Sequence, residues 1–240
     1  MTYLRTVHVP PSGERDDHTF VLLHGIGLSH HEFSGLARLL STVGRVVSFD
    51  LAGYGSTPRP NHQMSMEDHA TSIGAKLRQL GTRPAIVVGH SMGAQFAIEL
   101  ARQSPELVER VVLVGPVVDS SRRTLTAQAI ALARDSALEP VPTQLMVLGD
   151  YLRCGPRWFL TQAIVMRDYP TEEAITSVPH PLLIIRGEND RIANAEWCEF
   201  LARQAPNGMV DTIPSRRHDV VHSDPAATAA SILGFLDSPV

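Results

Sequence analysis

Gly89-His90-Ser91-Met92-Gly93 is a G-x-S-x-G pentapeptide set between an apolar run, Ala85 to Val88, and a segment of helical period, Met92 to Arg102. In that context a serine sits on a sharp strand-to-helix turn that pushes its oxygen clear of the neighbouring strands, and glycines two residues before and two after make room for the crowded backbone. The helix start behind it offers unpaired N–H groups and a favourable dipole to an anion. Such a serine can attack a carbonyl; the plainer alternative is a turn of small residues that only packs. A hydroxyl is a poor nucleophile at neutral pH, so the chemistry also needs a base within hydrogen-bond reach and an acid to fix that base's tautomer.

Of the 11 histidines, His218 follows the strand-like Met209 to Ile213 and a short loop, and lies before Pro225, where a last helix begins. His222 is in the same loop but abuts the helix cap, so His218 is the preferred base. For the acid, the apolar run Leu182 to Ile185 leads into Arg186-Gly187-Glu188-Asn189-Asp190. That turn sits at the carboxyl end of a strand, where open α/β sheets place their ligand sites. Asp190 is the preferred acid, with Glu188 and Asp119 as alternatives. His24-Gly25-Ile26-Gly27 follows another apolar run, Phe20 to Leu23. Here Ile26 and Met92 would each donate a backbone N–H to an oxyanion, and the glycines would keep the backbone open to it.

Rival motifs fail at specific positions. A dinucleotide loop beginning at Gly25 would need a third glycine where His30 stands, and an H-E-x-x-H zinc site beginning at His31 would need a histidine where Gly35 stands. His218 and His222 have ligand-like spacing, but their loop lacks a further close ligand, so no metal is expected.

The elements that must position these residues alternate. Apolar runs at Phe20–Leu23, Val46–Phe49, Ala85–Val88, Val111–Val114 and Leu182–Ile185 suit strands buried on both faces of a largely parallel sheet. Between them lie helical segments with start signals. Ser29 with Glu32 has the spacing of a capping box, Ser65 precedes an amphipathic stretch that ends at Gly81, and Asp224-Pro225 opens a helix to about Leu236. From 117 to 178 the alternation stops, with helical patterns at Leu125–Ala133, Leu145–Leu152 and Trp158–Met166. Three segments result: a core part over 1–116, a helical insertion over 117–178, and a second core part over 179–240 that carries acid and histidine. The insertion's Met146, Trp158, Phe159 and Met166 are candidates, with Ile26 and Met92, for contact with substrate; its arginines suit a solvated face.

A chain of 240 residues with 21 basic and 25 acidic side chains, net charge −4, lacks the positive field that nucleic-acid binding requires. Two cysteines make no disulfide framework. The amino-terminal residues have no leader pattern and no window is long enough to cross a bilayer, so a cytoplasmic protein with no membrane partner is expected. Nothing in the sequence sets its oligomeric state.

Taken together, the motifs resemble those of α/β-hydrolase-fold proteins: HGIG at His24, the stretch Asp50 to Thr57, GHSMG at Gly89, GEND at Gly187, and His218 with Pro225 beyond it. The resemblance covers nearly every segment outside the insertion. It implies a mostly parallel eight-stranded sheet flanked by helices, with one antiparallel edge near the amino terminus, and it casts the insertion as a helical cap. The chain order Ser91, Asp190, His218 matches that fold. Ser215-Arg216-Arg217 stands where many relatives place a glycine-rich turn, which makes the surface beside His218 basic. Relatives that open epoxides or displace halide use an aspartate at the elbow, so Ser91 argues against both.

What remains is acyl chemistry: a carboxylesterase-like serine hydrolase (EC 3.1) acting without cofactor on a small to medium apolar ester or lactone. The same triad would serve a thioesterase or a carbon–carbon bond hydrolase. A reading of another class is a ligand-binding receptor with little turnover. Activity is expected to fall below about pH 6 as the imidazole protonates.

Overall fold

A computed structural model of the chain describes residues 4–12, 17–119 and 141–238. The helical pattern at Leu125–Ala133 lies outside them. Among the described residues seven strands form one sheet in the order β1-β3-β2-β4-β5-β6-β7. They are β1 (Arg5–Val9), β2 (His18–Leu23), β3 (Gly44–Asp50), β4 (Ala85–His90), β5 (Val108–Val114), β6 (Leu182–Gly187) and β7 (Gly208–Ile213). Every pairing is parallel except β1 with β3. The antiparallel edge implied by the resemblance is therefore β1, and seven of the implied eight strands are present among the described residues. β1 has no continuous apolar run because it is half-exposed at the edge.

The continuous apolar runs follow from burial on two faces. Val21, Leu23, Val87, Leu113 and Ile184 face a core closed by α2 (Met66–Leu80), α3 (Met92–Gln103) and α7 (Ala195–Gln204). Their neighbours Phe20, Leu22, Val88, Val112 and Ile185 face the other core, closed by α1 (Ser34–Leu40) and α9 (Pro225–Asp237). Fully burying each such side chain contributes about 1.5–3 kcal/mol, and with both faces covered the middle positions of the central strands are apolar, while buried polar residues such as Thr19, His90 and Arg186 stand toward the strand ends.

Helix ends follow local chemistry. Ser65 and Asp68 form a reciprocal capping box for α2, and Gly81 ends it in the left-handed conformation. The Asp224 carboxylate accepts from the Ala227 amide, with Pro225 in the first turn of α9. The expected box at Ser29 and Glu32 does not form as such. Ser29 caps a 3-10 turn, His30–Phe33, that leads into α1, while the Glu32 carboxylate turns inward and is fully buried. A stronger partner draws it away, as described below.

Between β5 and β6 lie α4 (Val141–Cys154), α5 (Pro156–Asp168) and the short α6 (Thr171–Ala174). Polar contacts fasten this segment to the loops and helices beyond the carboxyl ends of the strands. The Gln162 amide oxygen meets His69 Nε2 at 3.0 Å and its nitrogen donates to the Met64 carbonyl at 3.3 Å. Arg59 donates to the Cys154 carbonyl at 2.6 Å, and Gln95 donates to the Met166 carbonyl at 3.0 Å. Both cysteines are free and buried. Among the described residues no helix is long and apolar enough to cross a membrane.

The tightest requirement is at Gly93, where a Cβ would lie 2.0 Å from the Leu23 carbonyl oxygen. Gly93→Ala is therefore expected to cost about 3 kcal/mol or more, in the upper range of point substitutions. Gly234→Ala, in α9 with nothing within 4 Å of the added methyl, is expected to stabilise by about 0.5–1 kcal/mol. Urea unfolding of the two variants beside the wild type measures both.

Candidate active site

Ser91 joins β4 to α3 with φ 55° and ψ −117°, a conformation that non-glycine residues rarely adopt and that costs about 1–3 kcal/mol. Its amide donates to the Val114 carbonyl at 2.9 Å, so the β4–β5 ladder continues to the turn itself. Gly89 and Gly93 are glycines for steric reasons: a Cβ on Gly89 would lie 2.2 Å from the Gly93 oxygen, and one on Gly93 would strike Leu23. The turn thus lies tight against the end of β2. Met92 follows Ser91 as the first residue of α3, where amides have no partner within the helix.

The acid and the histidine come from adjacent strand ends. His218 Nδ1 lies 2.9 Å from Asp190 Oδ2, and both side chains are buried. Asp190 Oδ1 accepts from the amides of Ile192 and Ala193 at 2.8 and 2.9 Å, which fixes the carboxylate's orientation. The approach of the two loops depends on Gly187, since a Cβ there would lie 2.3 Å from the Arg217 carbonyl oxygen. Beneath the pair is Gly115, with φ +55°; its absent Cβ would be 3.0 Å from the His218 ring and 3.4 Å from Asp190 Oδ2. Glu188 is exposed and accepts from the Ser215 amide, and Asp119 accepts from the Asn194 side chain. His222 is half-buried on α8 (Val220–Ser223). Of the candidates, Asp190 and His218 are the ones brought together. Part of the basic surface expected beside His218 is neutralised, because Arg216 pairs with Asp224 at 2.9 Å.

The third component is the loop after β2. Gly25 passes so close to Ser91 that its own Cβ would lie 3.2 Å from that of the serine, which sets Ile26 beside the elbow. His24 fastens the loop from below: its Nδ1 donates to the Gly25 carbonyl at 2.8 Å and its Nε2 accepts from the Leu51 amide at 3.1 Å. Burial lowers the pKa of this imidazole, in keeping with a neutral ring that donates at one nitrogen and accepts at the other.

From above, Tyr151 and Phe159 close on Gly27, where a Cβ would lie 2.6 and 3.1 Å from their rings. Trp158 lies against Gly53 in the loop after β3, Met166 is buried in the larger core, and Met146 is half-buried on α4. Tyr151 was not among the residues selected from sequence, since one tyrosine in an amphipathic helix carries no signal of the loop it will meet.

Behind the elbow is a second histidine–carboxylate pair. His90 Nδ1 and Glu32 Oε1 lie 2.5 Å apart, both fully buried. Burial would lower the His90 pKa, but the Glu32 charge overrides it and pushes it up to about 9. Conversely, burial would raise Glu32, but His90 holds it below the usual carboxylate range. Asp219 stands nearby, its pKa raised by burial against the opposing charge of His90. Glu32, His90 and Asp219 place candidate ligand atoms within 4.8 Å of one another. Both His90 ring nitrogens are nevertheless engaged with protein oxygens, so the cluster holds protons rather than presenting lone pairs to a cation.

Burial also works to lower the His218 pKa, but Asp190 outweighs it and leaves the imidazole above its ordinary value. The acid limb of any reaction that needs neutral His218 therefore lies above about pH 6.5, higher than the sequence alone suggested. An NMR titration of His218 is expected to give a midpoint above about 6.5, and Asp190→Asn is expected to bring that midpoint down. A wild-type midpoint below 6 contradicts the geometry.

Comparison with known proteins gives this arrangement a family. A sequence model described as "Alpha/beta hydrolase family" matches residues 20–231. The chain is 24% identical to the 2-(acetamidomethylene)succinate hydrolase of Mesorhizobium japonicum, over 91% of this chain and 87% of that one. It is 31% identical to the magnesium-chelatase 30 kDa subunit of Rhodobacter capsulatus, over 81% and 78%. Among solved structures it is similar to the enol-lactonase of Burkholderia xenovorans, with a TM-score of 0.82 at 18% identity, over 99% and 97%. With the family match spanning most of its length, on a mostly parallel sheet flanked by helices, the chain belongs to the alpha/beta hydrolase family.

Proposed function

We propose that the chain is a serine hydrolase that cleaves a carboxylic ester or lactone through an acyl-enzyme. The observation that carries this reading is the Asp190–His218 contact at 2.9 Å, at the same carboxyl end of the sheet as a serine held at φ 55°. With Nδ1–H donated to Asp190, Nε2 is the ring atom that takes a proton. Ser91 attacks the substrate carbonyl as His218 removes its proton, and the amides of Ile26 and Met92 bind the oxyanion. His218 then protonates the leaving group, and water, activated by the same imidazole, releases the acid. Asp190 fixes the tautomer and stabilises the imidazolium. These steps need no cofactor.

In this reading the insertion over 117–178 is a cap. Tyr151 and Phe159 on Gly27, with Trp158 on Gly53, place aromatic surface over the loops nearest Ser91, which suits a small to medium apolar acyl or alcohol group. The names of the succinate hydrolase and the enol-lactonase support bond hydrolysis, and thioester or carbon–carbon cleavage would use the same groups. A second reading, from another class, is a ligand-binding receptor with little turnover.

A fluorophosphonate is expected to label Ser91, located by mass spectrometry, and short nitrophenyl esters are expected to turn over. Ser91→Ala and His218→Ala should each lower kcat by roughly 10⁴-fold or more, with Asp190→Asn milder at about 10²- to 10⁴-fold. Hydrolysis by the wild type no faster than by Ser91→Ala would leave the binding reading in its place.

A further inference from the structure

Outside the three groups that would perform the chemistry, the most unusual feature is the buried Glu32–His90 pair. Glu32 Oε2 accepts from the Gly25 amide at 3.1 Å, and Gly25 immediately precedes Ile26. His90 immediately precedes Ser91, and its Nδ1 faces the other Glu32 oxygen. The opposite nitrogen, Nε2, donates to the backbone carbonyl of His218 itself at 3.0 Å. The His90 and His218 rings lie 4.9 Å apart between centroids.

One ion pair therefore touches the oxyanion loop, the elbow and the histidine loop, each at the residue to be held or at its immediate neighbour. These loops come from three strands, β2, β4 and β7, and their relative position sets the reaction geometry.

We propose that Glu32 and His90 are positioning residues for catalysis, a clasp that holds the Ile26 amide, the Ser91 turn and His218 in register. This rests on the serine-hydrolase reading above. The clasp needs His90 protonated, because both ring nitrogens face oxygen atoms and a neutral imidazole has only one N–H to give. Loss of that proton releases either Glu32 or the His218 carbonyl. The groups facing His90 are Glu32 on the 3-10 turn and Asp219 and His218 on the loop before α8. Those two carboxyl groups are faced in turn by His24 after β2, Tyr151 on α4 and His222 on α8. The carboxylate of Glu32 outweighs the rest and holds the His90 proton to about pH 9.

Two measurements test the clasp. In the wild type, kcat for a nitrophenyl ester is expected to fall through a second, alkaline limb near pH 9, and His90→Gln is expected to lack that limb. Glu32→Gln, compared at pH 8 per folded molecule, is expected to lose at least tenfold in kcat with KM within threefold. Its rate of fluorophosphonate labelling should fall in parallel, because that reaction reads the same serine and amides without turnover.

A merely structural pair would lower the melting temperature and leave those rates within twofold. That result, or a wild-type kcat that is flat from pH 8 to 10, overturns the proposal. Should Glu32→Gln fail to fold, the wild-type limb and its presence or absence in His90→Gln decide. A wild type that labels at Ser91 and turns over ester while showing no clasp effect sinks the clasp alone, whereas a wild type that does neither sinks the hydrolase reading and the clasp with it.

Discussion

Gly93 has no space for a side chain because the backbone of α3 at that point lies against the Leu23 carbonyl, where a Cβ would come within 2.0 Å. That contact sets how closely β4 and its helix lie against the end of β2, and the rest of the site is dimensioned from it. Two residues before Gly93 the chain turns at Ser91 with φ 55°, and Gly25 lies alongside the serine. Strain of this kind survives only where surrounding structure over-determines it, and here the continued β4–β5 ladder and the first turn of α3 do so.

Around this turn the protein buries charge in two parallel arrangements. Asp190 faces His218 and Glu32 faces His90, each carboxylate receiving at least one backbone amide as well as its imidazole. Burying ions is costly unless they are paired and hydrogen-bonded, and breaking such a pair by removing one partner costs about 3–5 kcal/mol. The two pairs differ in what lies at the far nitrogen. His90 gives Nε2 to the His218 backbone carbonyl, while His218 turns Nδ1 to Asp190 and its opposite nitrogen away from that carboxylate. His90 also opposes protonation of His218, since two cationic rings would stand 4.9 Å apart between centroids.

The segment between β5 and β6 is fastened by side chains reaching main-chain atoms: Gln162 to Met64, Arg59 to Cys154, Gln95 to Met166. These bonds act alongside apolar packing, since Cys154, Trp158, Ala163 and Met166 are buried in the larger core. They leave aromatic rings, Tyr151 and Phe159, to close on a glycine of the loop beside Ser91.

Much of this was legible from residue order. Continuous apolar runs identified the central strands, because burial on both faces leaves no alternation to misread. The glycine-flanked Ser91, the carboxylate after β6 and the histidine before Pro225 were legible because each lies at the end of a strand whose pattern is local. β1 was not legible from periodicity, since a half-exposed edge strand carries no continuous run. Glu32 was misread as a helix cap because its spacing from Ser29 suits one. Only the folded chain brings it to His90, 58 residues away, and a buried imidazolium outcompetes the neutral Ser29 amide for a carboxylate. The place of Tyr151 over Gly27 was likewise decided by tertiary structure. Sequence determines which groups sit at strand ends, through periodicity of local origin; which of them meet across 28, 58 or 128 residues depends on strand order and on how closely the loops approach, and those are properties of the assembled sheet.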